Sequence, residues 1–261
     1  MAKFLENGLA STGDDVLDGE IITTGVVIWV DSVAGNDSNA GTKEAPLATL
    51  AAAHSAATAA NGDIIVIKAG HTETLTSSIT ISKAGTKIYG LGSGSSAPNF
   101  ICNAAIDCID ITGANVELNN LYFPAATTAT ATALINVGAA NVRIKDCTFV
   151  CGAYTQYAIT LPSAGDHVRL IDCTFSVSAD GPDAGVIVES ANVIGMFVQG
   201  CTFDGSTYNW DDGAIYSAVA QTSFHYDSIT LSNNAKIKHT AAAKGVLFGT
   251  VCDESSEVSL A

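Results

Sequence analysis

Positive charge is scarce in this chain: 11 Lys and Arg stand against 26 Asp and Glu, a formal charge of -15, and only Arg143 and Arg169 are arginines. A surface that neutralises phosphates or anionic lipid needs clustered Lys and Arg, so neither nucleic acid nor membrane is expected as a partner, and the same objection holds less strongly for a polyanionic polysaccharide, which a bound Ca²⁺ could bridge. No apolar run approaches the length of a membrane span, Val26 to Val30 being the best. The opening Met1-Ala-Lys-Phe-Leu-Glu lacks the charged and apolar regions of a signal peptide, so the expectation is a soluble chain made in a cytoplasm. Seven cysteines without a C-x-x-C pair exclude a disulfide-stapled mini-domain and argue against a zinc or redox site. G-x-S-x-G is absent too, and His54, His71, His167, His225 and His239 are scattered without a nucleophile beside them. They read as surface or cap residues.

What the chain does have is a repeat. Val116-Glu-Leu118-Asn-Asn120-Leu121-Tyr-Phe123, Val142-Arg-Ile144-Lys-Asp146-Cys147-Thr-Phe149, Val168-Arg-Leu170-Ile-Asp172-Cys173-Thr-Phe175 and Phe197-Val198-Gln-Gly200-Cys201-Thr-Phe203 align without gaps. The anchors Leu121, Cys147, Cys173 and Cys201 are 26, 26 and 28 residues apart. Apolar alternation, then Asn120, Asp146, Asp172 or Gly200, then alternation again reads as strand, bend, strand. A third strand precedes each pair, with Ile109 and Ile111, Ile135 and Val137, Ile159 and Leu161, and Val186 and Val188 turned inward. Three short strands per repeat, with no crossover helix, make one coil of a solenoid whose coils pair in parallel about 4.8 Å apart. Ile88-Tyr-Gly90-Leu91 upstream and Ser228-Ile229-Thr-Leu231 downstream fit the same bend.

The fold class is therefore all-β: a single-stranded right-handed parallel β-helix of about seven coils with an N-terminal capping helix. Residues 1–27 read as an extended arm outside the solenoid. Residues 28–62 form a cap of strand, loop and helix, the helix opening at Pro46 with Leu47, Leu50, Ala51, His54 and Ala57 on one face. Residues 63–252 form the β-helix, and 253–261 a C-terminal tail. Cys147, Cys173 and Cys201 share one inward position and read as a ladder of small apolar side chains; Cys102, Cys108, Cys151 and Cys252 lie outside it and are free to pair.

Trp29-Val-Asp-Ser-Val-Ala-Gly-Asn-Asp-Ser-Asn-Ala-Gly-Thr42, Pro46-Leu-Ala-Thr-Leu-Ala-Ala-Ala53 and Asn61-Gly-Asp-Ile-Ile-Val-Ile-Lys-Ala-Gly70 resemble the N-terminal cap of the pectate-lyase-like parallel β-helix superfamily, and the D-C-T-F coils resemble its repeats. The likeness spans residues 28 to 251. That superfamily includes polysaccharide lyases, glycoside hydrolases, phage tailspikes, adhesins and virion structural proteins, so the resemblance implies the fold and leaves the activity open.

Chemistry is sparse. Arg143, Lys145 and Arg169 fall on outward strand positions, the two arginines equivalent in adjacent coils, and read as a small basic spot on a solvated face. Arg143-Ile-Lys145 and Asp211-Asp212 spell fragments of polygalacturonase-like hydrolases, but in reversed order and without the intervening G-H-G, so that match is rejected. Asp180 and Asp183 in one loop and Asp211 and Asp212 in another are the acids to test if the chain is an enzyme, with Trp210 beside them for sugar stacking. Asp31, Asn36, Asp37 and Asn39 crowd oxygens as a Ca²⁺ site would, against the alternative of an Asx-turn network; no other cofactor is expected. The expected function is a non-enzymatic structural protein, a homotrimeric phage capsid decoration protein or small spike located on the virion and anchored to a capsid protein through residues 1–27. The alternative is a glycan-active β-helix enzyme, a lyase or hydrolase, or a carbohydrate-binding adhesin.

Overall fold

The computed structural model describes residues 23–252 except 128, 163, 164, 190–192, 218, 240–242 and 250, together with four short strands at 3–4, 16–17, 20–21 and 257–260. Three long parallel sheets run the length of a solenoid. Sheet 1 has nine strands, from Val27–Val30 and Ile64–Ile67 through Lys87–Gly90, Glu117–Asn119, Arg143–Lys145, Arg169–Ile171 and Phe197–Gln199 to Gln221–Asp227 and Ala243–Phe248. Sheet 2 has eight strands, beginning at Thr72–Leu75, and sheet 3 eight, beginning at Ile79–Ile81. Each coil visits them in that order, as the repeat predicts. Glu257–Leu260, placed in a tail by the sequence, pairs with Lys236–His239 and extends sheet 3. The segment 1–27 contains Lys3–Phe4, Val16–Leu17 and Glu20–Ile21 in a small antiparallel sheet of their own; the rest of 1–22, and with it the anchoring arm, lies outside the described residues.

Stacking identical bends in register puts identical side chains above one another. Phe100, Phe123, Phe149, Phe175 and Phe203 form a buried column whose ring centroids are 5.9, 5.1, 4.8 and 4.5 Å apart. Each offset pair adds about 0.5–1.5 kcal/mol to the burial itself. Every strand of sheet 1 from Glu117–Asn119 to Phe197–Gln199 is bracketed by residues in the left-handed region: Asn115 and Asn120, Asn141 and Asp146, His167 and Asp172, Gly195 and Gly200; in Gln221–Asp227 the equivalent Ser223 lies within the strand, at a register shift, and Ser228 follows it. At the second bracket the backbone N–H donates to the next coil, Asn120 to Lys145, Asp146 to Ile171 and Asp172 to Gln199, at 2.9–3.0 Å.

The cysteine ladder has a chemical reason in that bend. The Sγ–H of Cys147, Cys173 and Cys201 donates to the carbonyl two residues earlier, on Lys145, Ile171 and Gln199, at 3.2–3.4 Å. Those are the carbonyls that accept the bend N–H of the preceding coil. A buried carbonyl has two lone pairs, and a small apolar side chain with a weak donor fills the space and meets the second. Burial pushes the Cys147 thiol up to about 12, and raises Cys173 likewise. Cys102 and Cys108 form a disulfide across the turn from sheet 2 to sheet 3, while Cys151 is free and buried.

Two cap expectations need correction. The helix is Leu50–Ala56 and does not open at Pro46, because Leu47 is committed to a bridge with Val30, donating to Trp29 O and accepting from Asp31 N, both at 2.9 Å. Its buried face is Leu50, Ala53 and His54, with Ala51 outside. Gly90 is not a left-handed bend: the chain continues into an inserted 3-10 turn, Gly94–Ser96, and Asn120 Nδ2 ties that insertion down by donating to Gly90 O and Gly92 O at 2.8 Å. No helix among the described residues is long and apolar enough to cross a membrane.

Candidate functional site: a basic cleft on sheet 1

Lys87, Glu117, Arg143, Arg169, Phe197 and His225 occupy one outward row of sheet 1, each directly opposite the next in the adjacent coil. The left-handed turns before these strands raise Asn115, Asn141 and His167 alongside the row. Between them lies an open cleft of about 560 Å³, floored by the first four members of the row.

Within it, Glu117 is 8% exposed. Its Oε2 accepts from Arg143 Nη1 at 3.2 Å and its Oε1 from the Tyr89 hydroxyl at 3.3 Å. This carboxylate is paired and held, and the pair uses only part of the donor set of the half-exposed Arg143. Arg169 is exposed and has no carboxylate partner among the described residues; its guanidinium carbon lies 5.5 Å over the Phe197 ring. The other side of Phe197 stacks on His225, centroids 4.9 Å apart and planes at 23°. Lys145 projects from the other outward row, with Nζ 3.5 Å from Asp146 Oδ2, outside the cleft.

The structure thus unites Arg143 and Arg169, as their equivalent repeat positions imply, and adds Lys87, Glu117 and His167, which the sequence reading passed over. The signal for His167 was in the same alignment: Asn115, Asn141 and His167 form a column immediately before the first Val of each repeat.

The acidic loops meet. Asp212 N donates to Asp183 O at 2.8 Å and Asp211 N to Pro182 O at 3.2 Å, while Asp183 Oδ2 accepts from Gln156 Nε2 at 2.9 Å. Burial, then the charges of Asp183, Asp212 and Glu189, push the Tyr157 phenol up to about 12. Asp180 and Asp211 are exposed at the loop surfaces. Trp210, expected outside for sugar stacking, is 3% exposed and packs edge-on to Phe203 at 6.2 Å. Gly185 on the facing strand lies beside it: a Cβ there would meet the Trp210 ring at an ordinary 3.4 Å, and Ala214 O at 2.6 Å. Without its aromatic platform the acidic cluster loses the feature that pointed to a sugar.

The oxygen-rich loop does not fit a cation. Asp31 Oδ1 accepts from Val33 N and Ala34 N, and its Oδ2 faces Lys68 Nζ at 3.4 Å. Asn36 Oδ1 accepts from Ser38 N, and Asn39 Nδ2 donates to Pro46 O. Asp37 accepts from Ala48 N, Thr49 N and the Thr49 hydroxyl, leading into the helix. These are separate Asx turns and caps, the alternative the spacing left open. Among the described residues no three His, Cys, Asp or Glu side chains converge as metal ligands.

Three histidines are buried. His71 Nδ1 accepts from Ser32 N at 3.0 Å and its Nε2 lies 3.3 Å from Glu73 Oε2, the oxygen that accepts Leu50 N at the helix start. His54 Nε2 accepts from Ser82 N at 3.0 Å, and burial, with Lys83 nearby, lowers its pKa. His239 lies in the solenoid interior, contrary to the surface or cap position expected of it.

No family model matches the chain, and no curated protein matches it in sequence. Solved structures do match. A rhamnogalacturonan lyase shares 16% identity over 91% of this chain, which spans 63% of that protein's length, at a TM-score of 0.48. Pectate lyase Pel9A is 13% identical over 92% of this chain and 77% of its own, at a TM-score of 0.53. The pectin methylesterase of Aspergillus niger is 11% identical, covering 90% of each chain, at 0.54. At such identities the likeness concerns architecture: the chain has the pectate-lyase-like parallel β-helix fold.

Proposed function

We propose that this protein binds an acidic polysaccharide along the outer face of sheet 1, in the cleft of Lys87, Arg143 and Arg169. The observation that carries the reading is the placement of the two arginines. In a chain of charge -15 they stand directly opposite each other, although like charges at facing positions cost stability. A fold that needed only a solvated surface would gain from separating them. The row from Lys87 to Arg169 advances three coil steps, roughly 14 Å at the spacing of paired strands, which suits a linear ligand with several carboxylate or sulfate groups lying along the solenoid axis. Planar guanidinium groups bind such oxyanions by paired N–H donors. The neighbours with the better superpositions are named for pectate and pectin, and that supports the reading at the level of the fold only.

Titration calorimetry with polyuronates, sulfated glycans and neutral glycans tests it. Acidic polymers are expected to bind, more weakly as salt rises, and the Arg143→Gln/Arg169→Gln pair to abolish binding. No binding to any acidic glycan at low salt, or undiminished binding by the double variant, would overturn the reading. Following unsaturated and reducing ends in the same mixtures tells a lyase or hydrolase from a binding module.

A second reading is the virion one, a self-assembling capsid decoration protein or small spike. Its supporting observation is that Val246 and Phe248, outward on the last strand of sheet 1, are 52% and 69% exposed. Apolar side chains left out on one face suit contact with a copy of the chain or a capsid protein. Light scattering of the wild type and of Val246→Ser/Phe248→Ser tests it: a wild-type monomer at high concentration counts against self-assembly.

A further inference from the structure

The row that floors the cleft continues as an aromatic stack, and its geometry decides what that stack can do. Phe197 has Arg169 on one side, 5.5 Å from guanidinium carbon to ring centroid, and His225 on the other at 4.9 Å. Both faces of the phenyl ring are covered, so it has no face to offer a sugar. What it offers is a flat support for Arg169. A ring takes none of a guanidinium's N–H donors as a carboxylate would, and the contact holds the cation without neutralising it. Arg143 is oriented differently, by a carboxylate that cancels charge and takes one donor.

We propose that Phe197 is the positioning residue of the cleft: backed by His225, it fixes Arg169 so that the open N–H edge receives an acidic group of the ligand. The inference rests on the acidic-glycan reading and adds to it a division of labour. Arg143 is tied to the floor through Glu117, and Arg169 is the pre-oriented, unneutralised cation. Pre-orientation reduces the side-chain entropy lost on binding, which is large for a free arginine.

The experiment is a double-mutant cycle read by calorimetry with an acidic oligouronide, alongside thermal melting. Phe197→Leu is expected to weaken binding about two- to fivefold, the value of a cation–π contact at an exposed site, while Phe197→Tyr keeps wild-type affinity. In an Arg169→Gln background, Phe197→Leu is expected to change nothing further. An effect of Phe197→Leu that persists undiminished without Arg169, a failure of Phe197→Tyr to preserve affinity, or wild-type affinity in Phe197→Leu would each overturn the proposal. A wild type that binds the oligouronide and loses it with Arg143→Gln/Arg169→Gln while ignoring Phe197 leaves the glycan reading standing and removes this one. A wild type that binds no oligouronide removes both.

Discussion

Arg143 and Arg169 face each other in register on adjacent strands, yet among the described residues only Arg143 has a carboxylate to hold it, Glu117 at 3.2 Å. The asymmetry predicts unequal effects on stability. Arg169→Gln removes a like-charge neighbour and, with it, the contact to Phe197, opposing effects of about 0.2–1 kcal/mol each, and is expected to change stability little. Arg143→Gln takes from the covered Glu117 carboxylate its charged donor at 3.2 Å, and is expected to cost about 1 kcal/mol or more. Urea unfolding of the two variants checks the difference; equal losses would mean that Glu117 does not depend on Arg143.

The bends predict a pattern of tolerance along the repeat. Asp172 sits at φ 52° and Gly200 at φ 64° in equivalent places. Asp172→Gly is expected to be near neutral. Asp172→Val forces a β-branched side chain into the left-handed region and is expected to cost about 1–2 kcal/mol. Gly200→Ala adds a Cβ that would lie 2.2 Å from Asp172 Oδ1, so its loss is expected to shrink in an Asp172→Ala background.

Cysteine chemistry separates the ladder from the staple. Cys147, Cys173 and Cys201 are buried, and burial raises the thiols of the first two, so a thiol reagent is expected to leave all three unlabelled in the native protein and to label them on unfolding. The Cys102–Cys108 disulfide closes a short loop, with 6 residues of sequence separation, and its replacement by two serines is expected to cost about 2 kcal/mol. Mass spectrometry of labelled native protein, with calorimetric melting of the serine pair, measures both.

Much of this molecule was legible because its coils repeat. Inward positions such as Ile144, Leu170 and Val198 follow from alternation alone, and Asn120, Asp146 and Asp172 from the few residue types that tolerate a left-handed bend. What escaped was set by contacts between distant residues. Trp210 is buried where it packs against Phe203 and beside Gly185 of other strands, and Pro46 does not open the helix because Leu47 bridges Val30. The cleft is intermediate: its arginines follow from the repeat, but Glu117 enters only once its register places it beside Arg143. The Cys residue of each coil was legible as small and buried, but not as the donor to a shared carbonyl.

The last prediction concerns acid. His239 is 1% exposed, its Nε2 lies 3.1 Å from the Tyr226 hydroxyl, and it stacks on Phe224 at 5.0 Å. Its Nδ1 has no hydrogen-bond partner among the described residues. Burial lowers its pKa to about 4, so the folded protein takes up the proton later than the unfolded chain, whose histidine titrates near 6.5. Above that value the imidazole is neutral in both states and contributes no pH dependence. Between about 6.5 and 4 the unfolded state binds more protons, so stability falls with pH, by about 3 kcal/mol from this residue when the fall is complete. His54, also lowered by burial, acts in the same direction. His239→Phe would remove the proton-binding group while keeping a ring against Phe224, at the cost of the Tyr226 hydrogen bond. Its stability at neutral pH is therefore expected to be lower than that of the wild type, and its loss between pH 6.5 and 4 shallower. Parallel slopes in urea titrations across that range would show that His239 is not the group that takes up the proton.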